Sequence, residues 1–217
     1  MGKLTIVIGN KNYSSWSLRG WIALKASGAG FDEIRIPLDQ PDTRARILEH
    51  SPAARVPVLR DGALAVWESL AICEYLAECF PDAGLWPDDN AARIRARVVA
   101  CEMHAGFAAL RKAMPMNCRA ALPGKGHSPA ADADIARIAE IWRDCRENFG
   151  AGGDFLFGRF TVADAMFAPV VSRFTTYAVE LDAVGQAYVD AVMSLPAMQA
   201  WYEAARAEPE RIEREEL

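Results

Sequence analysis

Val56 to Phe80 reads VPVLRDGALAVWESLAICEYLAECF, and this stretch decides the fold. Its first half, VPVLRDGALAV, turns around Asp61-Gly62, the strongest short-range hairpin signal, and predicts two short antiparallel strands. In the second half the period changes. Ile72, Leu76 and Phe80 recur on one helical stripe after Glu68-Ser69, and Pro81 closes the run. Working outward towards the N-terminus, residues 43–50 (TRARILEH) predict a short helix with Ile47 and Leu48 inward. Residues 31–37 alternate as a strand with Ile34 and Ile36 inward. Before them, WSLRGWIALKASGAG places Leu18, Ile22 and Lys25/Ala26 at helical spacing; Ser14 or Ser15 caps the start and Gly28 and Gly30 end it. Residues 4–8 (LTIVI), apolar on both faces, suit a strand covered on both sides.

The order is therefore β-α-β-α-β-β-α. One right-handed βαβ unit followed by an antiparallel hairpin and a packing helix is the thioredoxin-like arrangement. Residues 81–89 (PDAGLWPDD) are rich in Pro, Gly and Asp around an apolar Leu85-Trp86 anchor and read as an interdomain linker. Everything downstream has helical periodicity. One long helix is expected over 91–114, with Ile94, Val98, Cys101 and Ala105 on one stripe and Val99, Met103, Phe107, Leu110 and Met114 beside it. Others follow over 131–148, with Ile135, Ile138, Ile141, Trp142 and Cys145 inward, over 161–177, and over about 186–194 and 197–207. The expected architecture is an α/β thioredoxin-like domain over 1–80, a linker over 81–90 and an all-α helical domain over 91–217.

Composition narrows the function classes. The 217 residues are 52% hydrophobic and 24% charged, with a formal charge of −5, so neither a nucleic-acid backbone nor an anionic membrane is an expected partner. The five cysteines are odd in number and never spaced as CxxC; with no secretory signal at the start, they read as reduced thiols of a cytoplasmic protein. No window reaches the roughly 18 apolar residues of a membrane span. The three histidines, His50, His104 and His127, lack partners at metal-ligand spacing, so no metal is expected.

Four local features in register resemble the cytosolic glutathione transferases across nearly the whole chain. They are the serine loop with its helix (NYSSWSLRGWIAL), Val56-Pro57 before a strand, Glu68-Ser69 before the third helix, and the TxxD start of a late helix at Thr161-Val-Ala-Asp164. The loop is most similar to serine-type, zeta-like and bacterial-type members, whose motif reads Ser-Ser-Cys-Ser. Here Trp16 stands at the third position, and no cysteine lies in the loop, which disfavours thiol–disulfide exchange. The resemblance implies a glutathione S-transferase that joins the glutathione thiolate to a small electrophile, as a twofold homodimer. Two alternatives stay open: a glutathione-dependent cis–trans isomerase of the maleylacetoacetate type, and a non-catalytic protein that binds glutathione or another ligand.

The chemistry of those residues suits the role. A thiol of pKa about 8.5 is mostly protonated at neutral pH, and a hydroxyl donor at a helix N-terminus favours the thiolate. Ser14 fits the family position best, with Ser15 close beside it and Tyr13 a weaker phenolic candidate; Ser15 is then the helix cap. Val56 would pair its backbone with the cysteinyl unit of glutathione across a cis Val56-Pro57 step. Glu68 and Ser69 at a helix N-terminus suit the ammonium and carboxylate of a γ-glutamyl group, and Arg55 is placed to reach the glycyl carboxylate. Arg97, His104 and Arg111 recur every seven residues, so on a continuous helix they share one face with a drift of only about 20° per step. His104, Arg111 and Asn117 are the candidate electrophile pocket. Asp164 is read as a capping residue with no catalytic part.

Overall fold

The protein is described from a computed structural model covering residues 2–216. Strands β1 (Leu4–Ile8), β2 (Phe31–Arg35), β3 (Val58–Asp61) and β4 (Leu64–Trp67) form one sheet in the order β2-β1-β3-β4. β1 runs parallel to β2 and antiparallel to β3, and β3 pairs antiparallel with β4. Helix α1 (Ser15–Ala26) makes the crossover between β1 and β2, α2 (Thr43–Leu48) leads to the hairpin, and α3 (Ser69–Cys79) follows it. The thioredoxin-like order is the observed one. The central strand β1 is buried along most of its length, as its two-sided apolar composition requires.

Two inward assignments fail for geometric reasons. Ile47 is buried but its neighbour Leu48 is exposed, because consecutive helical residues point about 100° apart and a short helix covers the sheet with one face. Ile34 lies opposite Val7, yet it is exposed. The small cluster beneath α2 is Val7, Ile36, Ile47 and Val58, and it does not extend to the edge strand's Ile34.

The helical part comprises α4 (Asn90–Ala105), α5 (Ala108–Ala113), α6 (Pro129–Phe149), α7 (Val162–Tyr177), α8 (Ala183–Ser194) and α9 (Pro196–Ala207). Helix α7 is buried on all sides except Thr175 and packs against α1, α4 and α8, so the main core crosses from one half of the molecule to the other. The expected helix over 91–114 is two helices. Gly106 is extended and Phe107 adopts a left-handed conformation (φ 61°), which turns the chain and buries the Phe107 ring. The new helix start is satisfied by Asp134 of α6, which accepts the Leu110 N–H at 3.0 Å. The stripe of Ile94, Val98 and Cys101 faces outward, while Val99, Met103, Phe107, Leu110 and Met114 enter the core.

The charged C-terminal segment straps back over the β1–α1 loop and the end of β2. Glu208 accepts the backbone N–H groups of Lys11 (2.7 Å) and Asn12 (3.1 Å), and Glu210 takes Arg35 through two bonds of 3.0 and 2.9 Å. Ile212 is buried beneath the strap.

Candidate active site

A cleft of about 880 Å³ opens between the two halves of the molecule, walled by the start of α1, the β2–α2 loop, the residues before β3, the start of α3, α4–α5 and α7. It brings together Ser14, Ser15, Arg55, Val56, Glu68, Ser69, His104 and Arg111, all of which line it. Asn117 is absent from that wall. It is fully buried, where it accepts from Asn12 Nδ2 at 2.9 Å and from the Arg119 N–H at 3.2 Å, so it ties the chain after α5 to the β1–α1 loop. Arg97 also points elsewhere, 3.6 Å from Glu74 and over the Trp86 ring at 5.3 Å.

The floor is the start of α1. Ser14 is the helix cap: its Oγ accepts the Ser17 N–H at 3.4 Å and donates to Ser17 Oγ at 2.7 Å. The cap therefore belongs to Ser14, and Ser15 occupies the first helical position. Ser15 Oγ accepts from Arg173 Nη2 at 3.3 Å. Tyr13 donates its hydroxyl to Glu216 at 2.5 Å and accepts from Arg119 at 2.8 Å. Gly20 lets α1 approach the next wall closely, since a Cβ there would stand 3.2 Å from Pro57 Cγ.

That wall holds the Val56-Pro57 peptide, which is cis. Val56 lies two residues before the β3 ladder begins at Val58. Beyond it the chain reaches α3 through Glu68, whose φ of 69° and ψ of 122° are rarely adopted by a residue with a side chain. Such strain persists only where the surroundings impose it, and it clusters at ligand sites. Next to it, Ser69 Oγ is buried yet has no hydrogen-bond partner among the described residues. A buried hydroxyl beside the N–H groups of a helix start can donate to an anion.

The opposite wall is cationic and aromatic. Two guanidiniums lie over the Trp16 ring, Arg19 at 4.4 Å and Arg111 at 4.9 Å, with His104 edge-on at 5.2 Å. Arg111 turns back to cap α4, donating to the Met103 and His104 carbonyls. His104 and Arg111 thus meet across the helix break, not along a continuous face. Arg19 and Arg173 are buried, and no carboxylate pairs with Arg19, Arg111 or Arg173 among the described residues. Burial, and then the neighbouring guanidiniums, lowers the pKa of Arg19; burial lowers that of Arg111. Burial, then Arg19, also holds His104 below its ordinary value although Glu68 lies 3.9 Å away, so the imidazole is neutral at neutral pH. His104 Nδ1, Arg111 Nε and Arg19 Nη1 are buried without partners among the described residues.

Arg173 escaped the sequence reading. Its signal was present: a charged residue inside the apolar run AMFAPVVSRF of α7. Among the described residues no group of three or more His, Cys, Asp and Glu side chains is arranged to hold a metal ion, and no helix is long and apolar enough to cross a membrane.

Residues 13–79 match the family model "Glutathione S-transferase, N-terminal domain", and residues 128–204 match "Glutathione S-transferase, C-terminal domain". Together they take in about two thirds of the chain. A probable maleylacetoacetate isomerase of Caenorhabditis elegans is 33% identical over 93 residues, 43% of this chain and 42% of that protein. The match therefore spans less than half the length of that relative. A stringent starvation protein A homolog of Coxiella burnetii is 26% identical over 152 residues, 70% of this chain and 68% of that protein. Among solved structures, a glutathione transferase homolog from Burkholderia with bound glutathione superposes with a TM-score of 0.72 at 22% identity, covering 95% of this chain and 100% of that one. At that identity the likeness shows the fold, an α/β thioredoxin-like domain followed by a helical one.

Proposed function

Because the chain belongs to the glutathione S-transferase family, we propose that the cleft binds glutathione and delivers its thiolate to a small anionic electrophile. The observation that carries this reading is the corner at Glu68-Ser69: a strained residue, an orphaned buried hydroxyl and a helix N-terminus converge on one wall. A γ-glutamyl group supplies what the corner lacks, with its carboxylate on Ser69 Oγ and the α3 N–H groups and its ammonium on Glu68. Val56 then offers its backbone to the cysteinyl unit, and Arg55 takes the glycyl carboxylate. This lays the thiol over the start of α1, where a serine hydroxyl and the helix end favour the thiolate, as in the serine-type members.

The second substrate meets the cationic wall. Arg111 and the buried guanidiniums behind it have no carboxylate partner, so an electrophile bearing a carboxylate fits better than a neutral one. A second reading is favoured by the isomerase relative. On an unsaturated acid the thiolate adds to the double bond, the new C–C single bond rotates, and the thiolate leaves to regenerate the alkene in the other geometry. Glutathione is then returned unchanged.

Calorimetry with glutathione, followed by turnover of chlorodinitrobenzene and of a carboxylate-bearing electrophile, separates the readings. Binding with faster turnover of the anionic substrate supports the transferase. Isomerisation of a cis-unsaturated acid with catalytic glutathione supports the second reading. Binding without turnover across the panel leaves a ligand-binding protein, and no glutathione binding removes all three.

A further inference from the structure

Resting on the reading above that the second substrate is an anion, we infer that Glu215, carried into the cleft by the C-terminal strap, sets how strongly the cleft prefers anionic electrophiles. The strap is anchored as far as Ile212. Arg119 Nη1 donates to the Glu208 carbonyl at 2.6 Å, Arg119 Nη2 donates to the Glu210 carbonyl at 2.8 Å, and the Ile212 side chain is buried. From that fixed point one short helical turn begins, Glu213–Glu215, with the Glu215 N–H donating to the Ile212 carbonyl at 2.9 Å. The turn lands at the mouth of the cleft. Arg214 Nη1 reaches Asp39 of the β2–α2 loop at 2.6 Å, and Glu216 accepts from the Tyr13 hydroxyl at 2.5 Å. Asp39 and Tyr13 both line the cleft, so the residues on either side of Glu215 are tied to its rim. Glu215 itself is half-buried and lines the cleft.

The acidic residues of the strap have different neighbours. Glu208 takes the Lys11 and Asn12 N–H groups, Glu210 takes Arg35, and Glu216 takes Tyr13, while Glu213 is exposed. Glu215 is paired with Arg214 Nε at 3.5 Å, but that guanidinium is 65% exposed and shared with Asp39, so water screens the pair. The other cation in its field is Arg173 on α7, which also lines the cleft. Arg173 is buried, with its Nε on the Met114 carbonyl at 2.8 Å and its Nη1 on the Pro169 carbonyl at 3.2 Å. Burial, then Arg111, lowers its pKa to about 10, and Glu215 is among the groups that oppose them. The Glu215 carboxylate thus acts on the cationic wall from the mouth of the cleft without touching it. In a cleft with low-dielectric walls such a field reaches farther than on an open surface. A substrate carboxylate is drawn by Arg111 and Arg173 and repelled by Glu215; a neutral substrate is indifferent to all three.

The test uses two glutathione conjugates of nearly one shape, S-(carboxymethyl)glutathione and its amide, S-(carbamoylmethyl)glutathione. Their affinities are measured by calorimetry at neutral pH for the wild type, Glu215→Gln and Glu213→Gln. The conjugates put a charged or a neutral group beyond the sulfur, where the electrophile would stand, and no turnover is needed. Glu215→Gln is expected to tighten the carboxymethyl conjugate by about threefold to tenfold and to leave the amide within about twofold, the scale of one partly screened like charge removed. Glu213→Gln removes the same charge two residues away on the exposed side of the turn, and both affinities should stay at the wild-type value. An unchanged affinity for the charged conjugate in Glu215→Gln overturns the assignment. So does equal tightening of both conjugates, or the same gain in Glu213→Gln, which would make the effect one of net charge. If neither conjugate binds the wild type, the glutathione reading itself fails and takes this inference with it, an outcome recognisable because no variant is then involved.

Discussion

Buried polar side chains in this protein fall into two kinds, and the difference separates stability from binding. Asp164 at the start of α7 is of the first kind: its carboxylate accepts the Thr161 N–H at 2.8 Å, the Thr161 hydroxyl at 3.0 Å and the Leu156 N–H at 3.2 Å. Asp164→Ala strands buried donors, so it is expected to cost about 2–3 kcal/mol in urea denaturation with glutathione affinity unchanged. Burial pushes the Asp164 carboxyl up to about 6, opposed by those same donors. The folded value lies above the unfolded one, near 4, so its contribution to stability falls as pH rises from about 4 to about 6 and is level above that. The wild type should therefore lose stability relative to Asp164→Asn across that window, measured as urea midpoints at pH 4.5 and 6.5. Ser69 is of the second kind. Its orphaned hydroxyl predicts the opposite outcome: Ser69→Ala leaves the melting temperature nearly unchanged and weakens glutathione binding about tenfold by calorimetry.

At the scale of elements, two helix ends carry the site. Ser14 caps α1, so Ser14→Ala should lower unfolding stability by about 1 kcal/mol. The break between α4 and α5 sets where Arg111 lies. Gly106 sits against the end of α4, and a Cβ there would stand 2.8 Å from the Glu102 carbonyl oxygen. Gly106→Ala must therefore shift the turn that carries Phe107 and Arg111. The expected result is a raised KM for the anionic electrophile with glutathione affinity retained, read by steady-state kinetics with each substrate varied in turn. Equal KM values in the two proteins would show that the turn does not position Arg111 for the substrate.

For the whole molecule, the outward stripe is the informative surface. Ile94 (53% exposed) and Val98 (54%), one turn apart on α4, put two large apolar side chains in water on the same helix face. A twofold homodimer that buries α4 against a second copy is the proposed state. The wild type should sediment at about twice its 23.8 kDa chain mass, and Ile94→Glu/Val98→Glu should sediment as the monomer. A wild type that stays monomeric at micromolar concentration defeats this reading. Charged side chains on α3 and α4 are engaged within the chain: Glu74 accepts from Trp86 Nε1 at 3.0 Å, and Arg93 donates to the Pro87 and Asp88 carbonyls.

The sequence by itself determined whatever depends on neighbours along the chain. The periods of LTIVI and LAICEYLAECF, the Asp61-Gly62 hairpin, the Thr161–Asp164 capping box and the position of Glu68-Ser69 at a helix start are local features, and each stands in the fold where its residues place it. Tertiary structure alone decided the rest. Whether Ile94 or Val99 faces the core depends on which side α7 packs, and both stripes have the same period. Residues 91–114 have helical periodicity throughout, but burying the Phe107 ring and supplying Asp134 as a cap favour a break at Gly106. Arg173 reaches Ser15 across 158 positions, and Glu208 reaches Lys11 across 197. No spacing rule encodes such pairs. They exist because two helices meet and a charged segment finds unpaired backbone N–H groups, and both are properties of the folded surface.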